Sequence, residues 1–332
     1  MFIVQSYTTA VIFTIITMIC WGSWANTQKI AGKSWRFELF YWDYVWGIVI
    51  LSLVSALTLG SFGENGRGFI ADIGLADPTN IAYVFLGGVI FNLANILLVA
   101  AIAIAGMSVA FPVGIGIALV LGVLVNYLAT PSGNPFMLFT GVVLVAIAIL
   151  VDAVAYKQLE SGKQKVTSRG LILSVTAGVL MALFYRFVAK SMAPDFMNPA
   201  EGLLTPYTAV FIFSIGILVS NFLFNTILMK KPFEGEPVSY SQYFKGSYMI
   251  HLVGILGGII WAIGMSLSII AAGKAGYAIS YGLGQGATLI AALWGVFIWK
   301  EFKGATQKTN VLLFLMFVLF IFGLGFIIYA GL

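Results

Sequence analysis

Leu86-Gly87-Gly88-Val89-Ile90 stands inside one apolar run, and Leu256-Gly257-Gly258-Ile259-Ile260 stands inside another, 170 residues further on. The register continues beyond these two words: Ala105-Gly106 answers Ala275-Gly276, Gly114 answers Gly284, and Gly116 answers Gly286. Glycine occurs 37 times in the chain, so a single coincidence carries nothing. Several matches at one offset, across the same tight turn between apolar runs, point to an internal duplication. The plainer explanation is the general use of small residues where membrane helices pack.

Outward from these runs, ten stretches are long enough to cross a bilayer core of about 30 Å, which takes about 20 apolar helical residues. They are residues 8–29, 37–59, 80–105, 107–129, 135–156, 170–192, 207–229, 247–273, 276–298 and 309–331. Polar segments at 61–79, 157–169 and 230–245 separate them. Strands of a membrane barrel would be about 9–11 residues of alternating polarity, a pattern these runs lack. The chain is 61% hydrophobic and 9% charged, against roughly 25% charged in soluble proteins. A soluble enzyme, a secreted domain and a disordered chain are thereby excluded. One cysteine, Cys20, leaves no internal disulfide framework or Cys-rich metal site, and one histidine, His251, leaves no His cluster.

The expected fold is an all-α polytopic membrane protein of ten transmembrane helices, built as two inverted five-helix repeats. Residues 1–157 form the first, 158–169 a cytoplasmic linker, and 170–332 the second. Five is odd, so the second copy enters the membrane upside down. Inverted repeats around a central site belong to secondary transporters. Of the 17 Lys and Arg, 13 fall in the loops after odd-numbered spans and three after even-numbered ones, while Arg186 lies inside the sixth span. Basic loops stay in the cytoplasm, so both termini are expected outside a cell membrane and Lys163 inside. This placement accounts for the net charge of +5 without invoking nucleic acid. The first run has neither a basic n-region nor a small-residue cleavage pattern, so it is expected to remain as the first helix.

Trp21-Gly22-Ser23-Trp24 late in the first span, the five-plus-five plan and the Gly-rich fourth and ninth spans resemble the drug/metabolite transporter superfamily. Asp43-Tyr44, the stretch from Leu86-Gly87-Gly88 to Asn95, and Gly106-Met107-Ser108-Val109 are similar to its glucose/ribose porter and ureide permease branch. The long central loop of plant ureide permeases is here reduced to 157–169. The resemblance implies uptake of small polar organic solutes, often coupled to protons.

An ionisable residue inside a span costs a few kcal/mol and is a functional candidate by default. Asp43, within Tyr41-Trp42-Asp43-Tyr44-Val45-Trp46, is a carboxyl group placed to load and release a proton; the bland reading is a carboxylate satisfied near the interface. Arg186 is deep in the sixth span, where it would hold a substrate carbonyl, pair with Asp43 or snorkel. Glu38 is expected to be solvated, Asp152 to sit at the cytoplasmic interface, and His251 to be structural. Asn92 and Asn95 share a helix face, as do Asn221 and Asn225. Amides bind donors and acceptors alike, which suits a neutral solute, although they also serve as packing glue. Gln285 and Thr288 share a face with Tyr281 one turn above them, and Gly282, Gly284 and Gly286 permit close approach; this patch is the expected substrate wall. Trp21 and Trp261 would stack on a flat ring, while Trp24 is near enough to Lys29 to act as an interfacial anchor.

The sequence thus points to a proton-coupled carrier importing a sugar, nucleoside, nucleobase or ureide. Its substrate-binding residues would be Trp21, Asn92, Asn95, Trp261, Tyr281, Gln285 and Thr288, and its coupling residues Asp43 and Arg186. No cofactor or metal is expected, and the partners are solute, lipid and a proton, in a monomer or homodimer. A multidrug or metabolite efflux carrier is the rival within the superfamily. A membrane hydrolase lacks its Ser-His pair or metal cluster, and a channel lacks a filter-like loop or ring of charges.

Overall fold

A bilayer offers backbone groups no water, so a chain this apolar must close its hydrogen bonds within helices. The computed structural model describes residues 1–32, 35–105, 107–159, 168–233 and 235–332. Lys163 and most of the expected linker therefore lie outside the described residues, as does Gly106. Among the described residues, ten helices are long and apolar enough to cross a membrane. They are Tyr7–Ala31, Phe37–Leu57, Pro78–Ala105, Met107–Ala129, Pro135–Leu159, Ser168–Ser191, Pro206–Lys230, Tyr248–Ala275, Tyr277–Ile298 and Gln307–Tyr329. Side-chain caps set several starts: Ser6, Ser247 and Thr306 accept from Thr9, Ile250 and Thr309 backbone N–H groups respectively.

Two features add detail to this plan. The ninth span is not one continuous α-helix: it runs Tyr277–Gly284, turns at Gln285-Gly286, resumes at Ala287–Leu293 and ends in a π-helical turn, Trp294–Ile298. The loops after the second and seventh spans also contain short helices, Phe69–Leu75 and Tyr240–Phe244.

The bundle core is made by the third span against the sixth and seventh, the first and second against the eighth, and the fifth against the tenth. Glycines set two of these crossings. A Cβ on Gly88 would lie 2.1 Å from the Phe213 carbonyl oxygen and 3.1 Å from Gly216 Cα. A Cβ on Gly258 would lie 1.9 Å from the Tyr44 carbonyl oxygen and 2.9 Å from Gly47 Cα. Both places bring backbone against backbone, which only glycine allows.

The loops after the second and sixth spans are knotted together at one end of the bundle. Asp72, fully buried, accepts from Arg67 Nε at 2.7 Å and from both the backbone N–H and the hydroxyl of Thr205 at 2.9 Å. Arg67 Nη2 reaches the Leu203 carbonyl at 2.5 Å. A single β-bridge, Ala76 to Gly202, completes the tie, and a second, Met192 to Leu204, closes the loop after the sixth span on itself.

Candidate functional site

The crossings leave a cavity of about 170 Å³ enclosed by the first, third, fourth, sixth, eighth and ninth spans. Gly22 and Gly284 shape it: a Cβ on Gly22 would meet the Ala287 carbonyl at 2.4 Å, and one on Gly284 would meet the Trp21 ring at 2.7 Å. Trp21 consequently lies flat between the first and ninth spans, stacked on Trp261 with centroids 6.0 Å apart and planes 15° apart. Its Nε1 donates to the Trp261 carbonyl at 3.2 Å. Phe91 packs against Trp261 with centroids 4.5 Å apart, and Phe184 follows at 5.1 Å from Phe91.

The polar part of the wall is Asn95, Gln285 and Thr288. Asn95 Nδ2 donates to Tyr41 OH at 3.1 Å, and that hydroxyl donates to Asn92 Oδ1 at 2.9 Å. This chain fixes the Asn95 amide at the cavity wall. Thr288 Oγ1 donates to the Gln285 carbonyl at 3.1 Å. Among the described residues the Gln285 side-chain amide has no hydrogen-bond partner, which leaves both its donor and its acceptor for a solute. Among the described residues no charged side chain lines this cavity.

Five residues singled out from the sequence, Trp21, Asn95, Trp261, Gln285 and Thr288, therefore share one cavity. Asn92 and Tyr281 stand behind it. Asn92 bonds Ser220 Oγ at 2.9 Å, and Tyr281 OH donates to the carbonyls of Ala118 and Met181 at 3.2 and 3.1 Å. Tyr281 belongs to a buried aromatic layer with Tyr185 and Tyr277 that closes the cavity towards Gly276. Phe91 and Phe184 were missed; Phe91 lies 170 residues before Trp261, so the repeat offset itself could have found it.

At the opposite end the cavity runs on, past Gly22, Ala25, Thr288 and Ala291, into a vestibule of about 380 Å³. Its wall holds Lys29, Asp152, Tyr156, Trp299 and Glu301. The π-helical turn and a left-handed Lys300 (φ 53°) fold Glu301 back over Gly295, with its N–H donating to that carbonyl at 2.9 Å. Glu301 then binds Lys29 Nζ at 2.7 Å and accepts from Tyr156 OH at 2.9 Å.

Asp43 and Arg186 do not meet. Asp43 lines neither cavity and accepts from Tyr243 OH at 2.7 Å and Trp35 Nε1 at 3.1 Å, with His251 Nδ1 at 2.7 Å. Burial and the Asp43 carboxylate hold the Tyr243 phenol above its ordinary range, so it stays a donor. Arg186 is half-buried near the other end of the bundle, close enough to Tyr277 to act on it electrostatically. Among the described residues no carboxylate lies within 4 Å of it. Glu38, expected in water, is buried and paired with Arg36 at 2.5 Å. Asn225 Nδ2 donates to the Glu38 carbonyl at 2.9 Å, joining the seventh span to the second.

Comparison with known proteins places this architecture. The ureide permease family model matches residues 157–330, just over half of the chain. Ureide permease 1 of Arabidopsis thaliana is 22% identical over 97% of this chain and 96% of its own length. Ureide permease 2 of the same plant is 23% identical over the same shares. The L-rhamnose-proton symporter of Cronobacter sakazakii (strain ATCC BAA-894) is 28% identical over 48% of each chain. A solved crystal structure superposes with a TM-score of 0.65 at 15% identity, over 97% of this chain and 96% of that one, which shows a shared fold. With ten apolar spans around an uncharged, amide-bearing cavity, and relatives aligned almost from end to end, the chain belongs to the ureide permease family and is a multi-pass membrane transporter of small polar solutes.

Proposed function

We propose that this protein is a secondary active transporter that imports a small neutral ring solute by alternating access, driven by protons. The solute would be a ureide, nucleobase, nucleoside or sugar. The observation that carries the reading is the inner cavity, where aromatic planes face Asn95, Gln285 and Thr288 with no charge among the lining residues. Indole faces suit a flat ring or the apolar face of a sugar, and free amide groups suit a solute bearing both donors and acceptors. At about 170 Å³ the cavity is smaller than the roughly 300–1,000 Å³ typical of drug-sized ligands, which weighs against multidrug efflux.

Alternating access draws support from the packing. Shifting every span by five exchanges the third-sixth contact with the eighth-first, and the third-seventh with the eighth-second. The crossings at Gly88 and Gly258 exchange in the same way. Two inverted halves of this kind could trade arrangements at similar energy. The basic loops support an orientation with the Lys29–Glu301 end in the cytoplasm and both termini outside, in which the vestibule opens inward. The names of the relatives bear on solute and coupling: ureide permeases on one side, a rhamnose-proton symporter on the other.

The test is flux in proteoliposomes with labelled allantoin, uracil and L-rhamnose. Saturable counterflow of at least one is expected. A non-saturating conductance, or no exchange of any solute of these classes, would refute the reading.

A further inference from the structure

Each carboxylate set into the spans has its partners, with one exception. Glu38 has Arg36, and Asp43 has Trp35, Tyr243 and His251. Glu301, at the end of the ninth span, has Lys29 and Tyr156. Asp152, in the fifth span, has a fully buried Oδ1 with no hydrogen-bond partner. It also lines the vestibule that continues into the solute cavity. The charged and titratable groups that line this vestibule with it are Tyr156 from its own span, Glu301 from the turn after the ninth, and Lys29 from the end of the first. Lys29 is already spent on Glu301, and its Nζ also sits 4.2 Å over the Trp299 ring. An ionised Asp152 would therefore share the vestibule with a second carboxylate while its buried Oδ1 has no donor, and a buried polar atom is costly when left unpaired.

We infer that Asp152, rather than Asp43, carries the proton that drives transport. A proton from vestibule water adds to a carboxylate oxygen of Asp152, forming one O–H bond, and leaves the same way; no other bond changes. Sodium is the poorer occupant, since the Lys29 ammonium already holds the neighbouring carboxylate. The link to solute is structural. Thr288 and Ala291, one turn apart, line both the inner cavity and the vestibule, and the turn after the same span brings Glu301 into the vestibule wall that Asp152 shares. Protonating Asp152 removes the repulsion between the fifth span and the end of the ninth, which allows the vestibule wall to close.

The inference rests on the transport reading above for its meaning, but proton binding can be measured without any solute. Wild type, Asp152→Asn, Asp43→Asn and Asp152→Glu would be reconstituted in liposomes and followed by pH-difference infrared spectroscopy. A titrating protonated-carboxyl C=O signal is expected in wild type and Asp43→Asn, lost in Asp152→Asn and displaced in midpoint in Asp152→Glu. With allantoin and L-rhamnose as probes, pH-gradient-driven accumulation should fall to the no-gradient level in Asp152→Asn and return in Asp152→Glu. A signal that persists in Asp152→Asn, or disappears in Asp43→Asn instead, overturns the inference, as does accumulation driven by sodium alone. If the infrared pattern is as expected but neither probe moves in wild type, the proton site stands and the solute reading fails. Should Asp152→Asn not fold, an unmoved midpoint in Asp152→Glu would overturn the inference.

Discussion

Gly258→Ala tests whether the crossings hold the solute wall in place. The new methyl would lie 1.9 Å from the Tyr44 carbonyl oxygen, where real Cβ atoms do not come below 3.0 Å. The two spans must therefore part by about 1.1 Å, because both obstacles are backbone and no rotamer change relieves them. A gap of that order forfeits a quarter to a half of the dispersion energy along the contact. Overpacking of this kind costs about 1–3 kcal/mol or more, and the better helix propensity of alanine returns roughly 1 kcal/mol at most. A net loss of about 2 kcal/mol is expected, a fall of roughly 5 °C in unfolding temperature. Trp261 lies three residues along the same helix, so solute binding should weaken as well. The control is Gly116→Ala, where nothing lies within 4 Å of the added methyl and stability should hold or rise slightly. Both variants would be purified in detergent and melted beside wild type, with Gly88→Ala as the twin of the first. If Gly258→Ala melts with Gly116→Ala, the crossing is not close-packed and the reasoning fails.

Gln285→Ala and Asn95→Ala should each weaken solute binding by about five- to a hundredfold, the worth of roughly 1–3 kcal/mol for a lost buried hydrogen bond, with folded protein still abundant; calorimetric titration with whichever solute shows counterflow checks this. Asp72→Ala strips Arg67 and Thr205 of a fully buried partner, so stability should drop by about 3–5 kcal/mol, read by denaturant unfolding. In a Cys20→Ser background, an impermeant maleimide applied to intact cells should label a cysteine at Leu332 and spare one at Lys303; the reverse would invert the topology.

The spans were legible because the bilayer imposes their length and polarity, whatever the details of sequence. The solute wall was legible only in part. Asn92 and Asn95 sit three apart on one face, and periodicity cannot say which of them meets the cavity; Tyr41 decides it by taking up both amides. Tyr281 and Gln285, four apart, keep the helical bond between them, with the Gln285 N–H donating to the Tyr281 carbonyl at 3.1 Å, and the turn at Gln285-Gly286 follows; Tyr281 is held in the layer behind because its hydroxyl is taken by the distant carbonyls of Ala118 and Met181. Gln and Gly do not announce that turn. Asp72 lies in the polar 61–79 segment, and its partner Thr205 is 133 residues away, so no local pattern joins them. His251 read as structural, and nothing in its neighbourhood of sequence revealed that it faces Asp43.

The two halves of the chain are tied at both ends, by bonds that answer differently to dissolved salt. At one end Asp72 and Thr205 are fully buried, and the Arg67 side chain that joins them is only 13% exposed. At the other, the Lys29 and Glu301 side chains are 45% and 34% exposed. Counter-ions at physiological ionic strength screen exposed charges beyond about 8 Å and loosen exposed pairs, while they scarcely reach buried ones. Raising the potassium chloride concentration therefore slackens the tie between the first and ninth spans and leaves the loop knot as it was. Ionic strength becomes a setting that biases which end of the transporter yields first, independent of solute and of pH.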